Sequence, residues 1–395
     1  MQEPGTPQLQ ARFLTTLLLL WLAGVALRLT ILAVPPVIPL IHDELRLNAT
    51  QIGILTGLPS MLFAIAAVPG SLLIARLGVR TALVIGLAIT AVGGALRGAI
   101  PDVAWLYAMT IAMGSGVAVM QVTMPPTVRA WFPGRIGFAT AVYTNGLIIG
   151  EILPVALMFL VLPLVGGSWQ RGFVVWSVPV AAIAVLVLTL APKPAGPPAS
   201  APRRRWWPDW NDPLIWRLGI MLGTINATYF ATNAFLPDYL RTNGQSDWIS
   251  ASLTGLNGGQ LPASALLLAV AGRLERKAWP YVVCGLLCVF ATAGIVFGSG
   301  ALVVASATLQ GFAASAILIL ILALPPLLSA PDDVHRVTAA MFTISYSCAV
   351  IVPVISGLAW DVSGIASLAF APIAICGIIL VVLAPAINHV RQARS

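Results

Sequence analysis

Of the 13 acidic and 21 basic residues in the chain, only Arg28 and Glu151 sit deep inside a long apolar run, well away from either end. A charge at such a depth costs from about 2.5 kcal/mol upward, so each should face a partner or a water-filled cavity. Arg28 offers a planar, permanently charged fork that suits a carboxylate or another planar anion. Glu151 has two roles open to it: a carboxylate that takes up and releases a proton, or a fixed neutraliser of Arg28. Arg28 is the best candidate for holding a ligand.

Other polar side chains recur at helical spacing. Asn226, Tyr229 and Asn233 lie three and four residues apart and share one helical face. Asn257, Gln260 and Ser264 repeat the pattern one apolar run later, and Gln121, Gln310 and Tyr346 add single polar groups to three further runs. These residues are candidate ligand contacts. Each could equally serve as a hydrogen bond between neighbouring helices. Trp21, two turns before Arg28, shares its face, although such a tryptophan more often packs helices or anchors at a membrane interface.

No constellation for enzymatic chemistry is visible. There is no histidine cluster, no pair of carboxylates at depth and no phosphate-cradling glycine loop joined to Lys and Ser or Thr, so neither catalysis nor ATP-driven work is expected. Cys284 and Cys288 are one turn apart, but nothing nearby completes a metal site. Neither a metal nor a cofactor is expected. All four cysteines fall in apolar runs, where they behave as small apolar residues.

The elements that must position Arg28 follow from composition. Of 395 residues 59% are apolar and 9% charged, which no water-soluble fold could accommodate. Runs such as Ala181 to Leu190 are apolar on every side, which excludes a barrel and leaves helices. Spans are expected near 14–41, 50–75, 81–100, 103–128, 136–164, 170–191, 213–240, 247–271, 279–298, 301–328, 336–360 and 365–388. The first run lacks a signal-peptide cleavage pattern and reads as a retained span.

The net charge of +8 suggests orientation rather than nucleic acid, because its distribution is lopsided. With both termini cytoplasmic, sixteen of the 21 Lys and Arg fall inside and four, Arg46, Arg97, Arg171 and Arg241, outside; Arg28 is in neither place. Between the sixth and seventh spans, residues 192–211 are rich in Pro, Ala and Gly and carry Arg203 to Arg205 beside Trp206, Trp207 and Trp210. This reads as a cytoplasmic linker along lipid headgroups.

The two halves echo each other. Leu55-Thr56-Gly57-Leu58 returns as Leu253-Thr254-Gly255-Leu256, and Arg76-Leu77 as Arg273-Leu274. Met124-Pro125-Pro126 returns as Leu324-Pro325-Pro326, and Ile152-Leu153-Pro154-Val155 as Ile351-Val352-Pro353-Val354. The expected fold is therefore an all-α membrane protein of twelve transmembrane helices in two pseudo-symmetric six-helix bundles, 1–191 and 212–395. Alternating access is the mechanism expected of such a repeat.

The turn Ala75-Arg76-Leu77-Gly78-Val79-Arg80 resembles the basic loop between the second and third spans of the major facilitator superfamily, with Ala75 replacing the usual acid. The resemblance implies a gating role for Arg76, Gly78 and Arg80. More specifically, Arg28 to Pro39, Leu55 to Pro59, Gly116 to Pro125 and Trp131 to Thr140 resemble the cyanate permease and 2-nitroimidazole transporter family, with Gln121 where members commonly have Asn. That resemblance implies secondary transport of a small, often anionic solute with Arg28 as a substrate contact.

The expectation is thus an alternating-access carrier of a small organic or inorganic anion in a bacterial cytoplasmic membrane, working as a monomer among lipids, with proton coupling as one of the roles open to Glu151. The alternative is a proton-coupled exporter of nitroaromatic or amphiphilic compounds. A non-transporting receptor is disfavoured by the short tails.

Overall fold

A computed structural model describes residues 7–47, 49–192 and 205–385. Most of the linker, with Arg203 and Arg204, and the terminal Arg391 and Arg394 lie outside the described residues. Everything described is helix or turn, with no strand. In chain order the helices are α1 (Pro7–Leu29), α2 (Ile38–Leu45), α3 (Ala49–Leu96), α4 (Val103–Trp131), α5 (Ile136–Leu164), α6 (Trp169–Leu190) and α7 (Pro213–Thr242). They continue with α8 (Ile249–Gly258), α9 (Gln260–Leu274), α10 (Trp279–Phe297), α11 (Ala301–Leu328), α12 (Val334–Ser363) and α13 (Ala371–Leu383).

Nine helical stretches among the described residues are long and apolar enough to cross a membrane. Three differences bring these stretches to twelve spans. α3 runs through two spans that meet at Gly78, whose backbone (φ 78°, ψ 165°) leaves the helical region. α7 carries the polar Asn226, Tyr229 and Asn233, which lower its hydropathy. The eighth span is split into α8 and α9.

Proline explains the interrupted spans. Pro35 and Pro36 cannot donate to the carbonyls of Ile31 and Leu32, so the first span loosens immediately after Arg28. There the Arg28 carbonyl accepts from both Ile31 N and Leu32 N (3.1 and 3.0 Å) before α2 resumes. In the eighth span Pro262 withholds a donor from Gly258, where α8 ends. Other helix ends are capped by side chains. Asp102 accepts from Trp105 N (2.8 Å), Ser168 from Arg171 N (3.3 Å) and Asp212 from Leu214 N (2.9 Å).

Contacts divide the chain into two compact units. Unit 1 holds Met1–Gly134, Val142–Trp207 and Pro331–Arg336; unit 2 holds Arg135–Ala141, Pro208–Ala330 and Val337–Ser395. In unit 1 the described end of the linker is tied down by its carbonyls. Ser71 Oγ donates to Trp206 O (2.8 Å) and Arg336 Nε to Trp207 O (2.7 Å). Cys284, Cys288 and Cys376 are buried and Cys348 half-buried, all as free thiols.

Glycine sets how closely the helices approach. In unit 1 a methyl group on Gly24 would strike the Tyr143 carbonyl, one on Gly146 the Trp21 carbonyl and one on Gly150 the Val25 carbonyl. α1 and α5 therefore run backbone against backbone, a packing that only small residues permit. In unit 2, Gly259 and Gly311 bring α8 and α11 together in the same way, against Thr308 O and Leu256 O.

At the end of α9 in unit 2, the Glu275 side chain is packed against Gly137, where any side chain would collide with its Oε2. Oε2 is buried and accepts no hydrogen bond. Burial pushes the Glu275 carboxyl up to about 7, opposed by the nearby Arg276 charge.

Two expectations follow from this packing. Gly150→Ala should destabilise the protein by about 1–3 kcal/mol, since the helix backbones must separate, whereas Gly134→Ala, with open space around it, should be nearly neutral; thermal unfolding of the purified variants checks both. Because the folded pKa of Glu275 lies above its unfolded value, its carboxyl favours folding below about pH 4.5, and that contribution is lost as pH rises through about 7. Glu275→Gln should therefore unfold at a higher temperature than the wild type at pH 8 and show a flatter dependence between pH 5 and 8.

Candidate functional site

The glycine seam decides what faces what in unit 1. Arg28 on α1 and Glu151 on α5 come within 3.1 Å, Nε donating to Oε1. Their side chains are 12% and 23% exposed, so the pair is held mostly out of water yet remains reachable. Nη1 points back toward its own chain at Leu27 O (3.5 Å), and the guanidinium carbon lies 5.4 Å from the centroid of the Phe63 ring. Two turns earlier, Trp21 Nε1 donates to Asn145 Oδ1 (3.0 Å), a second cross-link between the same helices.

Chemically, this is a cation and an anion in a poorly screened setting. The Coulomb attraction is stronger there than in water, but both groups have lost hydration, so the pair is balanced rather than strongly favourable. A competing anion that could engage the guanidinium would replace Glu151 as its partner, and a proton on Glu151 would lessen its hold on Arg28 in the same direction. The helix also gives way just after Arg28, leaving backbone at the site without full α-helical bonding.

The remaining sequence candidates fall into separate groups. Gln121 on α4 is buried in unit 1, and its Oε1 accepts no hydrogen bond. In unit 2, Tyr229, Asn233, Asn257 and Gln260 form one network. The Tyr229 hydroxyl donates to Asn257 Oδ1 (2.5 Å), Asn257 Nδ2 to Asn233 Oδ1 (3.2 Å) and Gln260 Nε2 to the Tyr229 hydroxyl (3.4 Å). Asn233 Nδ2 also returns to Tyr229 O (2.9 Å), which fixes the amide's orientation.

Asn226 stands apart from that network and donates to Ser345 Oγ (2.8 Å). Gln310 is fully buried, with Nε2 on Thr232 Oγ1 (2.6 Å), so it joins α11 to α7 and faces no solvent-reachable space. Tyr346 is buried and stacked on Phe342, ring centroids 6.0 Å apart. Ser264 is buried on α9. In the turn between the second and third spans, Gly78 supplies the positive φ, Arg76 is exposed and Arg80 Nη2 donates to Leu188 O.

Sequence reasoning did not find Asn145 or Phe63 as neighbours of the Arg28 region. Asn145 stands beside Gly146, and the Gly146–Gly150 spacing is the one signal that α5 presents a contact face there. Nothing in the sequence distinguishes Phe63 from the other aromatic residues in apolar runs.

Comparison with known proteins identifies the family. Residues 20–301 match the model of the Major Facilitator Superfamily. The cyanate transport protein CynX of Escherichia coli (strain K12) is 27% identical over 265 residues, 66% of this chain and 68% of that protein. The 2-nitroimidazole transporter of the same organism is 24% identical over 305 residues, 73% of this chain and 77% of its own. An uncharacterized transporter of Bacillus subtilis (strain 168), YycB, is 24% identical over 278 residues, 70% and 68% of the two chains.

Among solved structures, the proton:xylose symporter XylE superposes with a TM-score of 0.75 at 13% identity, covering 94% of this chain and 95% of its own. The human organic anion transporter MFSD10 does so at 0.74 and 14%, covering 97% and 100%. At these identities the likeness is one of fold. The chain belongs to the Major Facilitator Superfamily and is a membrane transporter of small solutes, not an enzyme.

Proposed function

We propose that this transporter carries a small organic or inorganic anion, carboxylate-like or cyanate-like, that Arg28 holds by charge and hydrogen bonds. The single observation carrying this reading is the Arg28–Glu151 contact: a permanent cation at the heart of a span, partnered by a group whose charge can be removed by a proton. The similarity to a cyanate transport protein supports it.

In this reading the substrate anion and Glu151 compete for the guanidinium. Protonation of Glu151 frees the cation to bind the anion, and release of the anion restores the ion pair once the proton leaves. Anion and proton then move together by alternating access. In unit 2, Tyr229, Asn233, Asn257 and Gln260 are taken as neutral polar contacts, and Asn226, Gln121 and Tyr346 as further polar contacts. Arg76, Gly78 and Arg80 shape the turn that gates the cycle.

The excess of Lys and Arg on one side supports a bacterial cytoplasmic membrane with both termini inside, and the working unit is a monomer. A second reading, export of nitroaromatic compounds, is favoured by the 2-nitroimidazole relative. A nitro group presents two acceptor oxygens in a plane and would meet the same guanidinium fork.

Binding of cyanate, small carboxylates and nitroaromatics to purified protein tests the assignment. For the true substrate Arg28→Ala should weaken binding by about 10- to 100-fold, the worth of a charge-assisted hydrogen bond; undiminished binding would remove Arg28 from the site. In proteoliposomes, Glu151→Gln should abolish uptake driven by a pH gradient while preserving substrate counterflow. Unchanged pH-driven uptake would leave Glu151 as a fixed neutraliser only.

A further inference from the structure

A second buried guanidinium in unit 1 has no such partner. Arg97 follows the last residue of α3, yet its side chain turns inward and is 0% exposed. Nη2 donates to the Thr30 carbonyl, and the guanidinium carbon lies 4.2 Å above the Phe173 ring of α6. Its Nε and Nη1 are buried and meet no acceptor. No carboxylate among the described residues is within ion-pair distance of it.

The surroundings repeat this lack of acceptors. Thr30, whose carbonyl Arg97 touches, has a buried hydroxyl without a partner. One turn beyond Phe173, Trp176 Nε1 is also buried without an acceptor. Glu44 is engaged elsewhere, Oε2 accepting from Trp169 Nε1 (2.6 Å) and Oε1 from Gln170 Nε2 (2.8 Å), and it forms no ion pair with Arg97. Gln170 in turn is wedged against Gly98, where a Cβ would lie 2.5 Å from the Gln170 Cβ. The carboxylate is thereby held against the start of α6.

Two guanidinium nitrogens are thus enclosed beside an aromatic face, with the buried Thr30 hydroxyl on the residue whose carbonyl Nη2 meets, and a positive charge there has no partner among the described residues to balance it. A water molecule would satisfy the donors but not the charge, and an uncompensated buried cation is costly. A lipid headgroup or a chain-bearing carboxylate cannot reach a side chain with no exposure. What remains is a compact anion enclosed by the protein.

We propose that Arg97 and Thr30 form a buried binding site for a small inorganic anion of chloride size, separate from the Arg28 site, that joins the ends of α1 and α3 to the start of α6. The ion neutralises Arg97, accepts from Nε, Nη1 and the Thr30 hydroxyl, and stabilises the folded transporter rather than being its cargo.

Thermal unfolding of the purified full-length protein, with sodium chloride replaced by sodium gluconate at constant ionic strength, is the test. Chloride or bromide should raise the unfolding midpoint saturably, by several degrees, and gluconate should not. Arg97→Gln should erase the dependence, and Thr30→Val should shift it to several-fold higher chloride. Arg28→Ala should keep it, which separates this site from the proposed substrate site. In crystals grown in bromide, an anomalous peak should stand beside Arg97 Nε and Nη1, a readout that does not need the variants to fold. Equal midpoints in chloride and gluconate, a chloride effect that survives Arg97→Gln, or no bromide at Arg97 would each overturn the proposal.

Discussion

The backbone-to-backbone packing of α1 on α5 is the constraint on which the rest of unit 1 depends. Gly24, Gly146 and Gly150 let the two helices approach until carbonyls occupy the space that side chains would otherwise take. At that separation Trp21 reaches Asn145 and Arg28 reaches Glu151. With bulkier residues on the seam the helices would stand farther apart, and two charges would be left deep in the protein without each other. The seam therefore does more than pack helices, because it makes a midspan arginine tolerable.

The chain shows three different treatments of a charge removed from water. Arg28 meets an opposite charge on a neighbouring helix. Glu275 is held beside glycine at a helix start, where burial raises its affinity for a proton. Arg97 rests on a carbonyl and an aromatic face with two donors unmet. These differences in partner underlie the different roles proposed for them: exchange of partners at Arg28, sensitivity to pH at Glu275, and binding of a small anion at Arg97.

Unit 2 uses similar close packing around a network of uncharged polar side chains. Gly259 and Gly311 bring the α8–α9 break against α11, and the polar residues nearby bond chiefly to one another. Part of that pattern was legible from spacing, since Asn226, Tyr229 and Asn233 fall on one face of α7. Spacing did not separate them. Tyr229 and Asn233 enter the network, Asn226 turns to Ser345, and Gln310 disappears into a helix contact with Thr232. A polar residue in an apolar run must find a hydrogen bond, but periodicity does not say whether that bond faces a cavity or a neighbouring helix.

What the sequence determined by itself was everything governed by solvent. Apolar content dictates lipid and helices, whereas which prolines interrupt a span was not legible, since Pro154 and Pro353 lie inside continuous helices while the helix gives way before Pro35 and Pro262. The cost of a charge at depth singles out Arg28 and Glu151 by their position along the chain alone. Partner choice needed the tertiary structure, since it depends on helix separation and rotation: the glycine seam, Asn145 and Phe63 beside the site, and the inward turn of Arg97, which by position alone reads as an ordinary charge outside the membrane. Transfer energies accumulate along a chain and can be read from it, whereas contacts between distant residues arise only when helices pack.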